Sequence, residues 1–246
     1  MTLATARQKH SSTYDREFWM RRDKVARNSA RACVPLLLNA FTPASVVDLG
    51  CGQAHWLSVW KELGVEDVLG VDGPGVRENS TLLISEDKFL EHDLTKNLDL
   101  SRTFDLALCL EVAEHLPPKT ARTLVDTLTR LAPIVVFSAA IPGQGGVGHV
   151  NENWPWYWKK LFAEQGFTQY DPLRHLLWHN EDVAIWYKQN MFVYAKCSDG
   201  SPVHEYLAPY ESSQLTLIAS DTLYRISKPN FFSRALNRVR CAFTDG

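Results

Sequence analysis

The segment VVDLGCGQAHW, which runs from Val46 to Trp56, constrains the fold more than any other part of the chain. It begins as a short apolar run, reaches an acid at Asp48 and then passes two glycines, Gly50 and Gly52. A buried strand followed by a glycine turn and a helix is typical of a parallel α/β sheet, where glycine lets the backbone approach a nucleotide-like ligand. We therefore expect such a ligand beyond the carboxyl end of this strand.

The composition indicates one domain and a small-molecule substrate. The chain has 246 residues, 45% hydrophobic and 22% charged, which is enough apolar material for one sizeable core. Its formal net charge of -2 gives no general attraction to nucleic acid. We therefore expect a small-molecule acceptor and no nucleic-acid partner.

The cysteines and the N-terminal composition favour a cytoplasmic protein. The five cysteines are odd in number and far apart and include no CxxC pair, which fits a reducing compartment. The first residues mix charged and polar side chains, so no secretory segment is expected there. No apolar run approaches the length needed to span a membrane.

Strand-like and helix-like segments alternate along the chain. This alternation predicts a doubly wound α/β sheet, whose ligands bind beyond the carboxyl ends of the strands. The predicted strands are 45–49, 67–72, 88–92, 104–110, 134–138, 167–170 and 191–196, and the clearest predicted helices are 54–63, 119–131 and 154–165.

Acids end or follow the first four predicted strands. These acids are Asp48, Asp72, Asp93 and Glu111. One acid at a strand end is often solvated or caps the next helix. Four in series instead indicate a common ligand site at one edge of the sheet.

The ligand is not expected to be a nicotinamide dinucleotide. A GxGxxG motif would place a third glycine where this chain has His55, and Asp48 would lie unfavourably beside two phosphates. A cationic ligand with ribose hydroxyls, an adenine and an amino-acid tail fits better. S-adenosylmethionine is such a ligand.

These motifs together resemble the class I S-adenosylmethionine-dependent methyltransferases, in the branch with the signature EVxEHLP, here EVAEHLP from Glu111 to Pro117. The resemblance covers residues 45–196 and implies a Rossmann-like seven-stranded sheet whose last hairpin is antiparallel. One departure is Ala54, where the family usually has glycine.

The resemblance also implies which residues contact the cofactor. Gly50 and Gly52 are expected at the methionine portion, Asp72 at the ribose hydroxyls and Asp93 at the adenine amine. The full predicted set is Asp48, Gly50, Cys51, Gly52, Asp72, Gly73, Asp93, Leu94, Leu110 and Glu111.

The EVAEH stretch has two interpretations. On a helical turn, Glu111, Glu114 and His115 converge on a metal ion with His149 as a fourth ligand, as in a metal-dependent group of RNA-end methyltransferases. Alternatively, the acid faces the cofactor and no metal is used, as in many relatives. Because neither the net charge nor any motif indicates RNA binding, we predict no metal ligands.

A glycine-rich loop with polar residues is the predicted acceptor site. In IPGQGGVGHVNENWPWYW, residues 141–158, we predict His149 as the proton acceptor and Asn151 as an acceptor contact. Similar HxN loops occur in methyltransferases of sugar and natural-product pathways. The alternative is that His149 caps the following helix; we expect Trp158 and Phe162 to pack in the core. Further predicted acceptor-pocket residues are His115, Trp154, His175 and His179.

The flanks are predicted to decorate this domain. We divide the chain into a helical lid segment, 1–44, the S-adenosylmethionine-binding domain, 45–197, and an extension, 198–246. A basic amphipathic helix in the extension docks on the domain or contacts a partner or a membrane surface.

The sequence therefore predicts an S-adenosylmethionine-dependent methyltransferase acting on an oxygen or nitrogen of a small acceptor, of sugar or natural-product type. Two alternatives remain open. One is a metal-assisted methyltransferase that uses Glu111, Glu114, His115 and His149 on an RNA end or a phenol. The other is a non-catalytic, cofactor-binding subunit of a partner.

Overall fold

The computed structural model describes residues 16–211, with side chains from residue 24 onward. Its centre is a seven-stranded sheet. The strands are β1 Ser45–Leu49, β2 Asp67–Asp72, β3 Phe89–Glu91, β4 Leu106–Leu110, β5 Ile134–Ser138, β6 Thr168–Tyr170 and β7 Phe192–Ala195. Their order in the sheet is β3-β2-β1-β4-β5-β7-β6, and β7 runs antiparallel to β5 and β6. The predicted sheet and its antiparallel last hairpin are confirmed.

Helices cover both faces of this sheet. The α-helices are α1 Arg16–Phe41, α2 His55–Glu62, α3 Val76–Asn79, α4 Ala121–Leu131, α5 Pro155–Glu164, α6 Arg174–Leu177, α7 Ile185–Asn190 and α8 Pro202–Leu207. Short 3₁₀ helices occupy Glu86–Lys88, Ala113–His115, Pro118–Thr120 and Ala208–Tyr210. The three predicted helices lie within one or two residues of α2, α4 and α5.

The sheet separates two hydrophobic cores. Val46 and Val47 are adjacent in β1 but belong to different cores, because successive side chains of a strand point to opposite faces. The core that contains Val46 includes residues of α1 and α2, and the core that contains Val47 includes residues of α4 and α5. Every residue of β1 is buried, as expected for a strand covered on both faces.

The described side chains of α1 are part of the first core. Cys33 and Leu37 are fully buried there. The Ser29 hydroxyl donates to the carbonyl of Val25 and accepts from the backbone N–H of Ala184, which ties α1 to the start of α7. These contacts establish packing for α1, and the lid role of residues 1–44 stays a prediction.

The cysteines, the helix lengths and the C-terminal extension were also subjects of the sequence-based predictions. Four cysteines, Cys33, Cys51, Cys109 and Cys197, are free. Among the described helices, none has the length and apolar character to cross a bilayer. The predicted basic helix of the C-terminal extension lies outside the described residues.

An aromatic cluster between α5 and the sheet confirms the predicted packing of Trp158 and Phe162. The Trp158 ring lies 5.0 Å from that of Phe137, and Phe162 stacks on Tyr194 at 3.9 Å. Trp158 is 2% exposed, whereas Trp156 on the same helix is 65% exposed.

We expect Trp158→Ala to lower the free energy of unfolding by about 3–5 kcal/mol, because it leaves a cavity in this cluster. Trp156→Ala is the matched control and should change it by no more than about 0.5 kcal/mol. Denaturant unfolding of the two variants beside the wild type measures both values. Equal losses for the two variants would contradict the packing described here.

Candidate functional site

The glycine turn after β1 is shaped by one close contact. Gly50 has φ +84°, and a Cβ at this position would lie 2.2 Å from Cγ2 of Val112. Its backbone N–H donates to the carbonyl of Val71 at 2.7 Å. Gly52 also has a positive φ, +53°, but a Cβ there would meet nothing within 4 Å. The turn therefore packs tightly on the side of Gly50 and is open at Gly52.

Ala54, which departs from the family pattern, takes a left-handed conformation. Its φ is +66°, and its side chain is fully buried just before α2. A left-handed conformation in a residue other than glycine costs on the order of 1–3 kcal/mol, and surrounding contacts must offset it. The alanine that replaces the usual glycine therefore introduces backbone strain at position 54.

Asp72 connects the turns that follow β1 and β2. Its Oδ2 accepts a hydrogen bond from the Gly52 N–H, and its Oδ1 accepts one from the Gly73 N–H, both at 2.6 Å. Burial raises the pKa of Asp72, and the two backbone N–H groups oppose that rise. A carboxylate oxygen accepts more than one hydrogen bond, so Asp72 retains capacity for the hydroxyls of a ligand.

Asp48 is a buried acid that lacks a hydrogen-bond donor among the described side chains and backbone of residues 24–211. It is 3% exposed, and burial together with repulsion from Asp72 raises its pKa to about 7. The same acids help to raise the pKa of the Cys51 thiol, for which burial is the largest cause. A buried carboxylate is costly unless it is paired, so a cationic ligand would stabilise this site. The charge of S-adenosylmethionine fits that requirement.

The remaining predicted cofactor residues surround the same edge of the sheet. Asp93 Oδ1 accepts from the backbone N–H and the hydroxyl of Thr95, and the Asp93 side chain is 43% exposed. Leu94 and Leu110 are each 8% exposed, and a Cβ on Gly73 would meet nothing within 4 Å. The adenine contact of Asp93 stays a prediction.

Glu111, directly after β4, is held by amide side chains that the sequence analysis did not identify. Its φ is +56°, and its backbone N–H lies 3.0 Å from the Ser138 carbonyl. Its carboxylate accepts hydrogen bonds from Gln144 Nε2 and Asn190 Nδ2, each at 3.1 Å. Burial raises the pKa of Glu111, while these donors oppose the rise.

Asn190 is itself positioned by buried groups. It also donates to Gln144 Oε1 at 2.8 Å, and Gln189 donates to Asn190 Oδ1. Arg174, 1% exposed, donates to the Gln189 carbonyl and pairs with Asp171. No local sequence pattern indicates this network, because its members come from the glycine-rich loop, α6 and α7.

Glu114 anchors the glycine-rich loop through its backbone. Its carbonyl accepts from the N–H groups of Val150 and Asn151, at 2.8 and 3.1 Å. Burial, followed by repulsion from Glu111, raises the pKa of the Glu114 side chain to about 9. This rise favours the protonated form of the Glu114 carboxyl.

Three of the four residues of the metal interpretation lie together. One ligand atom each from Glu114, His115 and His149 lies within 4.8 Å of the others, and the two imidazole rings meet edge to face at 4.8 Å. Ligand atoms about 2.2 Å from a shared ion are at most about 4.4 Å apart, so a small closure would suit a metal. Glu111 is not in this group, and its carboxylate instead accepts hydrogen bonds from Gln144 and Asn190.

His149 forms a pair with Glu152, a residue that the sequence analysis missed. Its Nδ1 lies 2.9 Å from Glu152 Oε1. Glu152 also accepts from the N–H groups of Gly143 and Gly145, at 3.0 and 3.1 Å. Burial raises the pKa of Glu152, but its hydrogen bonds with His149 and the two N–H groups lower it below its usual value. The acid three residues after the histidine was the available signal.

Asn151 is hydrogen-bonded inside the protein at both ends of its amide. It donates to the Ala113 carbonyl at 3.1 Å, and its Oδ1 accepts from Asn153 at 2.7 Å. It is 4% exposed. These bonds fasten the loop to the turn after β4, and the acceptor contact of Asn151 stays a prediction.

Of the other predicted acceptor residues, His115 contacts His149, and the remaining three have the following surroundings. His175 stacks on Tyr210 at 5.6 Å, and His179 is exposed. Trp154 occupies the N-cap position of α5. Of the four, only His115 is placed beside His149, at the edge-to-face contact described above.

A family model described as a methyltransferase domain matches residues 18–183 of the chain. Among curated proteins, no sequence matches it significantly.

Three solved structures share the fold. CalS10, an amino pentose methyltransferase from Micromonospora echinaspora with bound S-adenosylmethionine, has a TM-score of 0.56 at 15% identity, over 76% of this chain and 100% of that one. The sugar N-methyltransferase KedS8 from Streptoalloteichus has a TM-score of 0.54 at 16% identity, over 74% and 92%. DesVI from Streptomyces venezuelae has a TM-score of 0.52 at 12% identity, over 73% of this chain and 95% of that one.

The chain belongs to the methyltransferase-domain family. The resemblance to class I enzymes is thereby confirmed, as are the predicted enzyme class and S-adenosylmethionine as the cofactor. The residues that bind the cofactor and the acceptor stay predictions.

We expect Asp72→Ala to weaken S-adenosylmethionine binding at least about tenfold, because a hydrogen bond to a charged group contributes about 1.5–3 kcal/mol. Calorimetric titration of the purified protein measures the affinity. Asp99→Ala, which removes an exposed acid from the loop before β4, is the matched control. Wild-type affinity in Asp72→Ala would remove Asp72 from the cofactor site.

We expect the affinity for S-adenosylmethionine to rise with pH through about 7, because binding a cation favours ionised Asp48. The sign for folding is opposite: the raised pKa of Asp48 makes its contribution to stability fall as pH rises from about 4 to about 7. Calorimetry across this range should give a weaker pH dependence for Asp48→Asn than for the wild type. Identical slopes would show that Asp48 does not face the cationic groups.

Proposed function

We propose that this methyltransferase acts on an oxygen or nitrogen of a small acceptor of sugar or natural-product type, with His149 as the proton acceptor. When bound, S-adenosylmethionine supplies an electrophilic methyl group. The task left to the protein is to orient the acceptor atom and to take its proton where that atom is a hydroxyl. The proposal includes a cytoplasmic location and no nucleic-acid partner.

The observation that carries the proposal is the position of His149. The glycine-rich loop that bears it is hydrogen-bonded to the turn after β4, at the edge of the sheet where the cofactor-binding acids are predicted, and this arrangement supports the proposal. Its Nδ1 is bonded to Glu152, which leaves Nε2 for a proton from the acceptor. The solved sugar methyltransferases with this fold support a sugar-type acceptor.

The cofactor is expected to lie across the turns after β1, β2 and β3. Asp72 would receive the ribose hydroxyls, and Asp48 would face the cationic groups. The glycine turn at Gly50 and Gly52 would lie against the methionine portion, with open space at Gly52 for its approach. Glu111, with its carboxylate fixed by two amides, would line the boundary between cofactor and acceptor.

We expect His149→Ala to lower turnover by about 100- to 10,000-fold, which is the usual contribution of general-base assistance. S-adenosylhomocysteine formation with a panel of sugar and natural-product acceptors measures turnover, and calorimetry should give cofactor affinity within a few-fold of wild type. His204→Ala, on α8, is the matched control. Wild-type turnover of His149→Ala on the true acceptor would contradict the assignment.

A second candidate is a metal-assisted methyltransferase acting on an RNA end or a phenol. The close grouping of Glu114, His115 and His149 favours it. A metal would have to displace the proton of Glu114, whose pKa is raised to about 9, so metal affinity would increase with pH. Because Glu111 is committed to Gln144 and Asn190, this site would have three protein ligands and open positions for the acceptor oxygen.

We expect turnover to survive exhaustive chelation, since the proton transfer to His149 needs no metal. Turnover is measured after chelation and after addition of Mg²⁺, Mn²⁺, Co²⁺ and Zn²⁺ in turn. The second candidate would be established instead if chelation removed activity, if one of these ions restored it, and if the ion failed to restore it in Glu114→Gln.

A further inference from the structure

Glu152 has no assigned role in the proposed reaction, yet its carboxylate is fully engaged around His149. One oxygen, Oε1, lies 2.9 Å from His149 Nδ1 and 3.1 Å from the Gly145 nitrogen. The other, Oε2, accepts from the Gly143 N–H at 3.0 Å. The side chains of His149 and Glu152 are only 11% and 14% exposed. Water therefore has little access to the bond between them.

The opposite nitrogen of the ring has a different environment. Among residues 24–211, whose side chains the structure describes, the ring of His149 is hydrogen-bonded through Nδ1, and Nε2 has no hydrogen-bonding partner. The ring lies directly over Gly146, where a Cβ would be 2.1 Å from Nε2 and 2.3 Å from Cε1. The backbone thus leaves space for the ring at Gly146, and Glu152 sets its orientation from the other side.

An ionised carboxylate accepts hydrogen bonds but donates none, so Glu152 requires a proton on His149 Nδ1. Neutral imidazole carries one proton, and a proton on Nδ1 leaves the lone pair on Nε2. A carboxylate in this position also stabilises the imidazolium that forms when Nε2 accepts a proton. The two N–H groups that bind Glu152 hold the carboxylate still while this happens.

We propose that Glu152 is a positioning residue that fixes His149 as its Nδ1–H tautomer and presents Nε2 to the acceptor. Bound S-adenosylmethionine would supply the methyl group, with the C–O bond formed as the C–S bond breaks and the bonding pair left on the sulfur of S-adenosylhomocysteine. His149 Nε2 would take the hydroxyl proton and later release it to solvent. The inference rests on the proposed role of His149. It applies equally if Nε2 binds a metal ion, because that also requires an unprotonated nitrogen.

The tautomer is measurable without the acceptor. Long-range proton–nitrogen correlation spectra of the full chain with isotope-labelled histidine, recorded where the ring is neutral, distinguish protonated from unprotonated ring nitrogens. The His149 signals are assigned by their loss in His149→Gln. We expect protonated Nδ1 and unprotonated Nε2 in the wild type, and a shift toward the Nε2–H form in Glu152→Gln.

Glu205→Gln, a change of the same type on the exposed side of α8, should leave the His149 signals unchanged. Glu152→Gln should also reduce turnover about 10- to 100-fold, as loss of a histidine-orienting partner does elsewhere, with cofactor affinity unchanged by calorimetry. If Glu152 had a purely structural role, Glu152→Gln would also change the cofactor affinity and the signals of other histidines.

The outcomes separate this inference from the proposed function. A wild-type His149 with its proton on Nε2 would overturn the inference, as would a tautomer that stays the same in Glu152→Gln. The wild-type spectrum decides the first point even if Glu152→Gln fails to fold. Normal turnover in His149→Ala, with the Nδ1–H tautomer present in the wild type, would instead contradict the proposed function and leave the tautomer assignment in place.

Discussion

The close approach of Gly50 to Val112 is the constraint on which the site depends. A side chain at Gly50 would collide with Val112, and its φ of +84° is one that glycine adopts without strain. Because β1 and β4 are adjacent in the sheet, this contact sets the separation between the glycine turn and the turn that bears Glu111 and His115. The predicted cofactor and acceptor regions are therefore joined where the Gly50 backbone packs against the Val112 side chain.

Buried negative charge is the main energetic feature of this edge of the sheet. Burial raises the pKa of Asp48, Asp72, Glu111 and Glu114, which means that each carboxylate is costly to ionise there. Glu111 is compensated by amide donors and Asp72 by backbone N–H groups. Asp48 has no such donor within the described chain, so its compensation is expected from the ligand. A cationic cofactor and a series of buried acids are thus complementary.

The glycine-rich loop, which is the predicted acceptor site, is fastened at both ends of its polar segment. At one end, the N–H groups of Val150 and Asn151 donate to the Glu114 carbonyl. At the other end, the Glu152 carboxylate accepts hydrogen bonds from the N–H groups of Gly143 and Gly145. His149 lies between these two anchors. A loop of this glycine content would otherwise lose much conformational entropy on ordering, and the hydrogen bonds offset that cost.

The sequence by itself determined the α/β class, the positions of the strands and the acids at their carboxyl ends, because apolar periodicity and glycine placement are local properties of the chain. The resemblance of its motifs to a known family added the seven-stranded sheet with its antiparallel last hairpin and supported the class of cofactor. The tertiary structure alone decided which side chains meet. Asn190 contacts Glu111 across 79 residues and Gln144 across 46, and no local pattern encodes such pairs. It likewise turned the Asn151 amide inward to the Ala113 carbonyl and stacked His175 on Tyr210. Side-chain partners depend on the folded backbone, since buried polar groups take whichever donors and acceptors the packing brings within reach.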